Sequence, residues 1–87
     1  MKTDIFLNRY PSVDLHGLDR DSARMVTNDF VLENLFLKND TIVIIHGIGT
    51  GIVKNACHEA LRVNKNVISY KTDNFNSGCT IVKLNVN

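Results

Sequence analysis

The chain lacks any apolar run near the roughly 18 residues that a membrane span requires. Its opening stretch, Met1-Lys2-Thr3-Asp4-Ile5-Phe6-Leu7-Asn8, is apolar only at Ile5, Phe6 and Leu7, too short for the core of a secretory leader. A cytoplasmic protein with no membrane partner is therefore expected. Cysteine is scarce: Cys57 and Cys79 fit no C-x-x-C spacing and read as buried thiols rather than a disulfide or a metal site. Charge of one sign is also missing. A net charge of +1 provides no global field to draw the protein onto a polyanion, so any contact with nucleic acid must be local. Repeats, low-complexity tracts and linker-like stretches are absent, and the only proline, Pro11, separates a leader (1–11), expected to pack on the domain, from a body (12–87).

What is present suits one domain. At 87 residues with 44% hydrophobic and 22% charged side chains, the chain supports a single core but not two. Val13-Asp14-Leu15-His16-Gly17 reads as a short strand ending at a glycine turn. Asp19 is placed to cap a helix over about 20–38, whose inward stripe is Ala23, Val26, Phe30 and Leu37, widened by Leu35 and Phe36. Thr41-Ile42-Val43-Ile44-Ile45-His46 is a β-branched run that predicts a central strand covered on both faces.

Gly47-Ile48-Gly49-Thr50-Gly51 is then a loop. A second helix follows over about 52–63, with Val53, Ala56, Cys57, Ala60 and Leu61 inward. A third strand is expected over 67–71 and a fourth over 80–86, where Thr80, Val82, Leu84 and Val86 alternate with Ile81, Lys83 and Asn85. The order β-α-β-α-β-β predicts an α/β (α+β) two-layer sandwich with a mixed four-stranded sheet. Right-handed crossovers that step the same way place both helices on one face. The other face then needs a cover, from Ile5, Phe6 and Leu7 or from a partner.

Parallel strands of a βαβ unit end on the same edge, which brings Asp14 and His16 near His46. A carboxylate beside an imidazole fixes its tautomer and suits it to general-base work near neutral pH. The glycine loop after His46 leads into a helix N-terminus, whose unpaired N–H groups favour an anion such as phosphate, and Lys54 in the first turn adds a positive charge. From Lys54 onward Arg62, Lys65, Lys71 and Lys83 are opposed only by Glu59 and Asp73, a patch that reads equally as a solvated face.

Each of these residues also has a plainer reading. A lone histidine near a strand end is commonly a hydrogen-bonded structural residue, and His58, mid-helix beside Cys57, is read as structural or exposed. Asp14, His16 and His46 could form a metal-binding facial triad, although their order is reversed from the common arrangement. Asp73 lies at a distance suited to a ribose, but Ile52 occupies the place of the last glycine in G-x-G-x-x-G and the loop lacks the P-loop spacing.

Val13-Asp14-Leu15-His16-Gly17-Leu18 resembles the L-D-L-H-G signature of the small MutS-related (Smr) domain, and His46-Gly47-Ile48-Gly49-Thr50-Gly51 resembles its H-G-x-G-T-G signature. Ser77-Gly78-Cys79-Thr80-Ile81-Val82-Lys83-Leu84 is similar to its closing strand. The resemblance covers about 12–87 and implies a mixed four-stranded sheet with two helices, similar to the C-terminal domain of a bacterial translation initiation factor. It also implies endonuclease activity that nicks DNA or cuts RNA, with some members tied to ribosome rescue. By position, Asp14 and His16 would be the catalytic pair, and His46, Gly47, Gly49 and Gly51 the phosphate-side loop. Ile48 stands where a lysine is frequent, and Ser77 replaces one glycine of the closing pair.

The expected function is thus nucleic-acid binding with cleavage of RNA or nicking of structured DNA. Asp14, His16 and His46 are the expected catalytic residues, and Gly47, Gly49, Thr50, Gly51 and Lys54 the phosphate binders. Mg²⁺ is the one candidate cofactor, and the ribosome a further candidate partner. The alternatives are a non-catalytic module that docks on RNA, a ribosome or a protein, and a domain that binds a small nucleotide.

Overall fold

The computed structural model describes residues 9–87. Six elements follow in order: β1 (Ser12–Asp14), α1 (Arg20–Phe36), β2 (Thr41–Ile45), α2 (Ile52–Val63), β3 (Val67–Thr72) and β4 (Cys79–Leu84). The sheet order is β1-β2-β4-β3. β1 runs parallel to β2, with Asp14 opposite Ile45, and β4 is antiparallel to both neighbours. Both crossovers step in one direction and the two helices pack on each other, so the sheet and the helix pair form two layers.

β2 is buried on both faces, as its β-branched run predicts: Thr41, Ile42, Val43 and Ile44 are all sealed. Ile42 and Ile44 join Val82 and Leu84 of β4, Leu15, and Ala56, Cys57 and Leu61 of α2 in the main core beneath the helices. Burying an aliphatic side chain of this size contributes about 1.5–3 kcal/mol. Val43 and Cys79, with Ile45 and Ile81 packed around them, form a second, smaller cluster. The cover expected from Ile5, Phe6 and Leu7, and the packing of the leader, fall outside the described residues.

Helix α1 begins as expected, with Asp19 Oδ1 accepting from the Ser22 N–H at 2.7 Å. Its buried stripe differs from the sequence expectation. Ala23, Thr27, Val31 and Asn34 are the buried residues, with Val26, Phe30 and Leu35 half-buried, whereas Phe36 and Leu37 are exposed. Two polar residues can sit inside because each is bonded. The Thr27 hydroxyl donates to the Ala23 carbonyl, and the Asn34 amide donates to the Phe30 carbonyl while its oxygen accepts from Asn39.

The helix then ends in a paired C-terminal motif. Lys38 N–H donates to the Leu35 carbonyl and Asn39 N–H to that of Asn34, with Lys38 in the left-handed region at φ 64°. This turn swings the chain away after Phe36 and leaves Phe36 and Leu37 outside.

Candidate functional site

β1 stops at Asp14, and the chain turns there because the Asp14 carboxylate folds back on its own strand end. Asp14 Oδ1 accepts from the His16 backbone N–H at 3.0 Å and lies 3.3 Å from His16 Nδ1. Leu15 between them is fully buried, while the side chains of His16 and Asp14 are 76% and 55% exposed. The Asp14 contact places the ring proton on Nδ1, because an ionised carboxylate only accepts. The ring as a whole is solvent-accessible.

His46 lies just past the end of β2, where its backbone N–H and that of Gly47 both donate to the Gly78 carbonyl, at 2.8 and 3.0 Å. Its side chain turns inward and is only 4% exposed. Nε2 lies 2.7 Å from Thr80 Oγ1, and Nδ1 lies 3.1 Å from the Gly47 carbonyl oxygen. The same Thr80 oxygen lies 2.8 Å from His58 Nε2, and the His58 ring packs against Tyr70, with centroids 5.0 Å apart. Burial lowers the pKa of both His46 and His58. Lys54 repels a proton from each ring, and His46 repels one from His58; the Gly47 carbonyl opposes the shift at His46.

Beyond His46 the loop runs through Gly47, Ile48, Gly49 and Thr50 to Gly51, which caps α2 in the left-handed region with no side-chain hydrogen bond. The first-turn N–H groups of α2 therefore have no intrahelical carbonyl and no side-chain cap. The loop, the start of α2 with Lys54, and His16 with Gly17 enclose a cleft of about 330 Å³. Gly47 has φ +81°, a left-handed conformation that favours glycine, and a Cβ placed on it would lie 3.4 Å from His16 Cβ, so the two sides of the cleft approach each other here.

The structure thus brings Asp14 and His16 into contact and sets His16, His46, Gly47, Gly49, Thr50, Gly51 and Lys54 along one cleft. His46 lines the cleft, but both its ring nitrogens are already hydrogen-bonded, to the Gly47 carbonyl and to Thr80. The facial-triad arrangement is not assembled: no cluster of three histidine, cysteine or acidic side chains able to hold a metal ion occurs among the described residues. Asp73 does not line the cleft; its Oδ2 accepts from the Phe75 N–H in the β3–β4 turn. Ile48 is exposed at the rim. Ser77 is exposed while Gly78 is buried, so the glycine the turn requires is the one that was kept.

Sequence reasoning read His58 as structural or exposed, and its structural reading holds, because α2 lays it over β4, where Thr80 reaches it; the residue it passed over is Thr80. The available signal was Thr80 itself, a hydroxyl in the core-facing register of Val82 and Leu84, which had to find a partner.

The family model of the Smr domain matches residues 13–85. The chain belongs to the Smr domain family. It is 37% identical over 76 residues to endonuclease MutS2 of Clostridium acetobutylicum, covering 84% of this chain and 10% of that protein. With endonuclease MutS2 of Streptococcus equi subsp. equi it shares 39% over 75 residues, 83% of this chain and 10% of that one. The chain spans about a tenth of the length of these relatives.

Among solved structures, the Smr domain of Thermus thermophilus MutS2 superimposes with a TM-score of 0.81 at 34% identity, covering 85% of this chain and 96% of that one. YdaL, a stand-alone small MutS-related protein from Escherichia coli, gives 0.80 at 25% identity, covering 86% and 66%. The Smr domain described here therefore has the two helices and mixed four-stranded sheet that its sequence predicted. None of its helices among the described residues is long and apolar enough to cross a membrane.

Proposed function

We propose that this Smr domain binds nucleic acid and cleaves it as an endonuclease, with RNA the favoured substrate. The observation that carries the reading is the Asp14–His16 pair, exposed on one wall of a cleft whose other wall is a glycine loop and an uncapped helix N-terminus. Support comes from the relatives named as endonucleases.

In this mechanism Asp14 holds the His16 ring through Nδ1, and Nε2 takes the proton from the attacking hydroxyl. The N–H groups at the start of α2, with Lys54, meet the negative charge that builds on the phosphate oxygens. Gly47, Gly49 and Gly51 let the phosphate approach the backbone, and Thr50 lines the same wall. His46 holds the loop through the Gly47 carbonyl. RNA is favoured because its 2′-hydroxyl is an internal nucleophile: the 2′-oxygen–phosphorus bond forms as the bond to the 5′-oxygen breaks, leaving a 2′,3′-cyclic phosphate, and the departing 5′-oxygen takes its proton from solvent. A DNA substrate instead calls for a water and for metal assistance from an ion such as Mg²⁺.

The test is cleavage of labelled RNA and structured DNA, with and without Mg²⁺, beside His16→Ala. A drop of about a hundredfold or more is expected for loss of the general base. Equal cleavage by both proteins rejects the mechanism.

A second reading, a non-catalytic module that docks on RNA, a ribosomal surface or a protein, draws on one observation. Of the three imidazoles, only His16 is not tied into the interior, and an acid–base pair needs two. Such a module binds in a salt-sensitive way without forming product, loses affinity with Lys54→Ala and is indifferent to His16→Ala.

A further inference from the structure

The interior holds a continuous polar file between α2 and the sheet: the Gly47 carbonyl, His46, Thr80 and His58. The direction of each hydrogen bond in it can be deduced. A carbonyl oxygen only accepts, so His46 Nδ1 carries a hydrogen. A neutral imidazole has one N–H, which makes His46 Nε2 a lone pair that must accept the Thr80 hydroxyl hydrogen. A hydroxyl has a single hydrogen, so Thr80 oxygen meets His58 as acceptor, and His58 carries its own hydrogen on Nε2. The file runs one way: His58 Nε2–H to Thr80 Oγ1, Thr80 O–H to His46 Nε2, and His46 Nδ1–H to the Gly47 carbonyl.

We propose that Thr80 and His58 are positioning residues, which lock His46 in its Nδ1–H tautomer so that the imidazole grips the Gly47 carbonyl and fixes the first peptide of the cleft loop. The proposal rests on the functional reading only where it concerns cleavage. The groups facing the two rings favour their neutral forms: each ring lies against the other in an edge-to-face arrangement at 5.8 Å, Tyr70 covers His58 from β3, and Lys54 is the nearby charge. No carboxylate of the described residues bonds either ring. Every buried side-chain polar atom among those residues is satisfied, which the file achieves with no spare donor.

Long-range ¹H–¹⁵N correlation spectra of the ¹⁵N-labelled full chain above pH 7 read the tautomers directly. His46 is expected to show a protonated Nδ1 and a bare Nε2, and His58 the opposite. Thr80→Val removes the central hydroxyl and should turn the His46 pattern into a mixture, while Thr80→Ser restores it. A wild-type His46 protonated on Nε2 overturns the proposal, and so does an unchanged His46 pattern in Thr80→Val. The wild-type spectrum decides even if the valine variant fails to fold.

Cleavage is measured in parallel. Thr80→Val is expected to slow it by about tenfold, the scale of one lost hydrogen bond, with rescue by serine. Correct tautomers without any cleavage leave the positioning intact and reject the nuclease reading. Cleavage that depends on His16 but comes with the wrong tautomer rejects the positioning alone.

Discussion

Gly78 and Gly47 touch backbone to backbone: a Cβ on Gly78 would lie 3.3 Å from Gly47 Cα and 3.4 Å from its carbonyl carbon. The Gly78 carbonyl also accepts from both His46 and Gly47, so the closing strand and the cleft loop are fastened together at this point. Gly78→Ala would press on this main chain and also on the Asn76 Oδ1, 3.2 Å from the added Cβ, which accepts the Gly78 N–H. A cost of about 1–3 kcal/mol is expected, as for other overpacked sites, measured by urea denaturation. Gly49→Ala is the control, because nothing lies within 4 Å of its added Cβ, and it should stay within about 0.5 kcal/mol of the parent.

The two buried histidines make stability depend on pH. Their folded-state pKa values are lowered from 6.5, so the folded protein binds protons less readily than the unfolded chain. Their contribution is fully present above about pH 6.5 and is lost as pH falls toward their folded values. The denaturation midpoint should therefore drop between pH 7.5 and pH 5. His58→Gln, which keeps a donor for Thr80 but does not titrate, should flatten that drop. A midpoint that is level over this interval in the parent would contradict the burial of both rings.

Lys38 holds the left-handed position at the end of α1 with φ 64°, where a β-carbon is disfavoured. Lys38→Gly should raise stability by roughly 0.5–1 kcal/mol, read as a higher melting temperature. The bond from Lys38 Nζ to the Val86 carbonyl, at 3.4 Å and exposed, is too weak to reverse the sign.

The fold was legible because its strongest signals are periodic: the β-branched run of β2, the inward stripe of α2 and the alternation in β4 all hold in the structure. The stripe of α1 was read less well. Hydrophobicity alone selects Leu37 and overlooks Thr27 and Asn34, whose polar groups are neutralised by bonds to the helix's own carbonyls. For the cleft, strand ends and glycine spacing placed His16, His46 and the loop around one opening, and the Asp14–His16 contact follows from their separation of two residues.

The inward turn of the His46 ring was not legible, since it depends on a threonine 34 residues away and on a helix laid across it. Nor did the position of β4 between β2 and β3 follow from order alone, because a hairpin to β3 is compatible with either edge.

That position has a consequence for assembly. The segment Cys79–Leu84, last among the strands in the chain, is the one that joins the β1–β2 pair to β3. Until it inserts, β3 has no neighbour to bond and β2 has one side bare. The strand is the keystone of the sheet: its pairing with β3 closes only a short turn, whereas its pairing with β2 joins residues as distant as Thr41 and Lys83, so the sheet is complete only once that long-range contact is made.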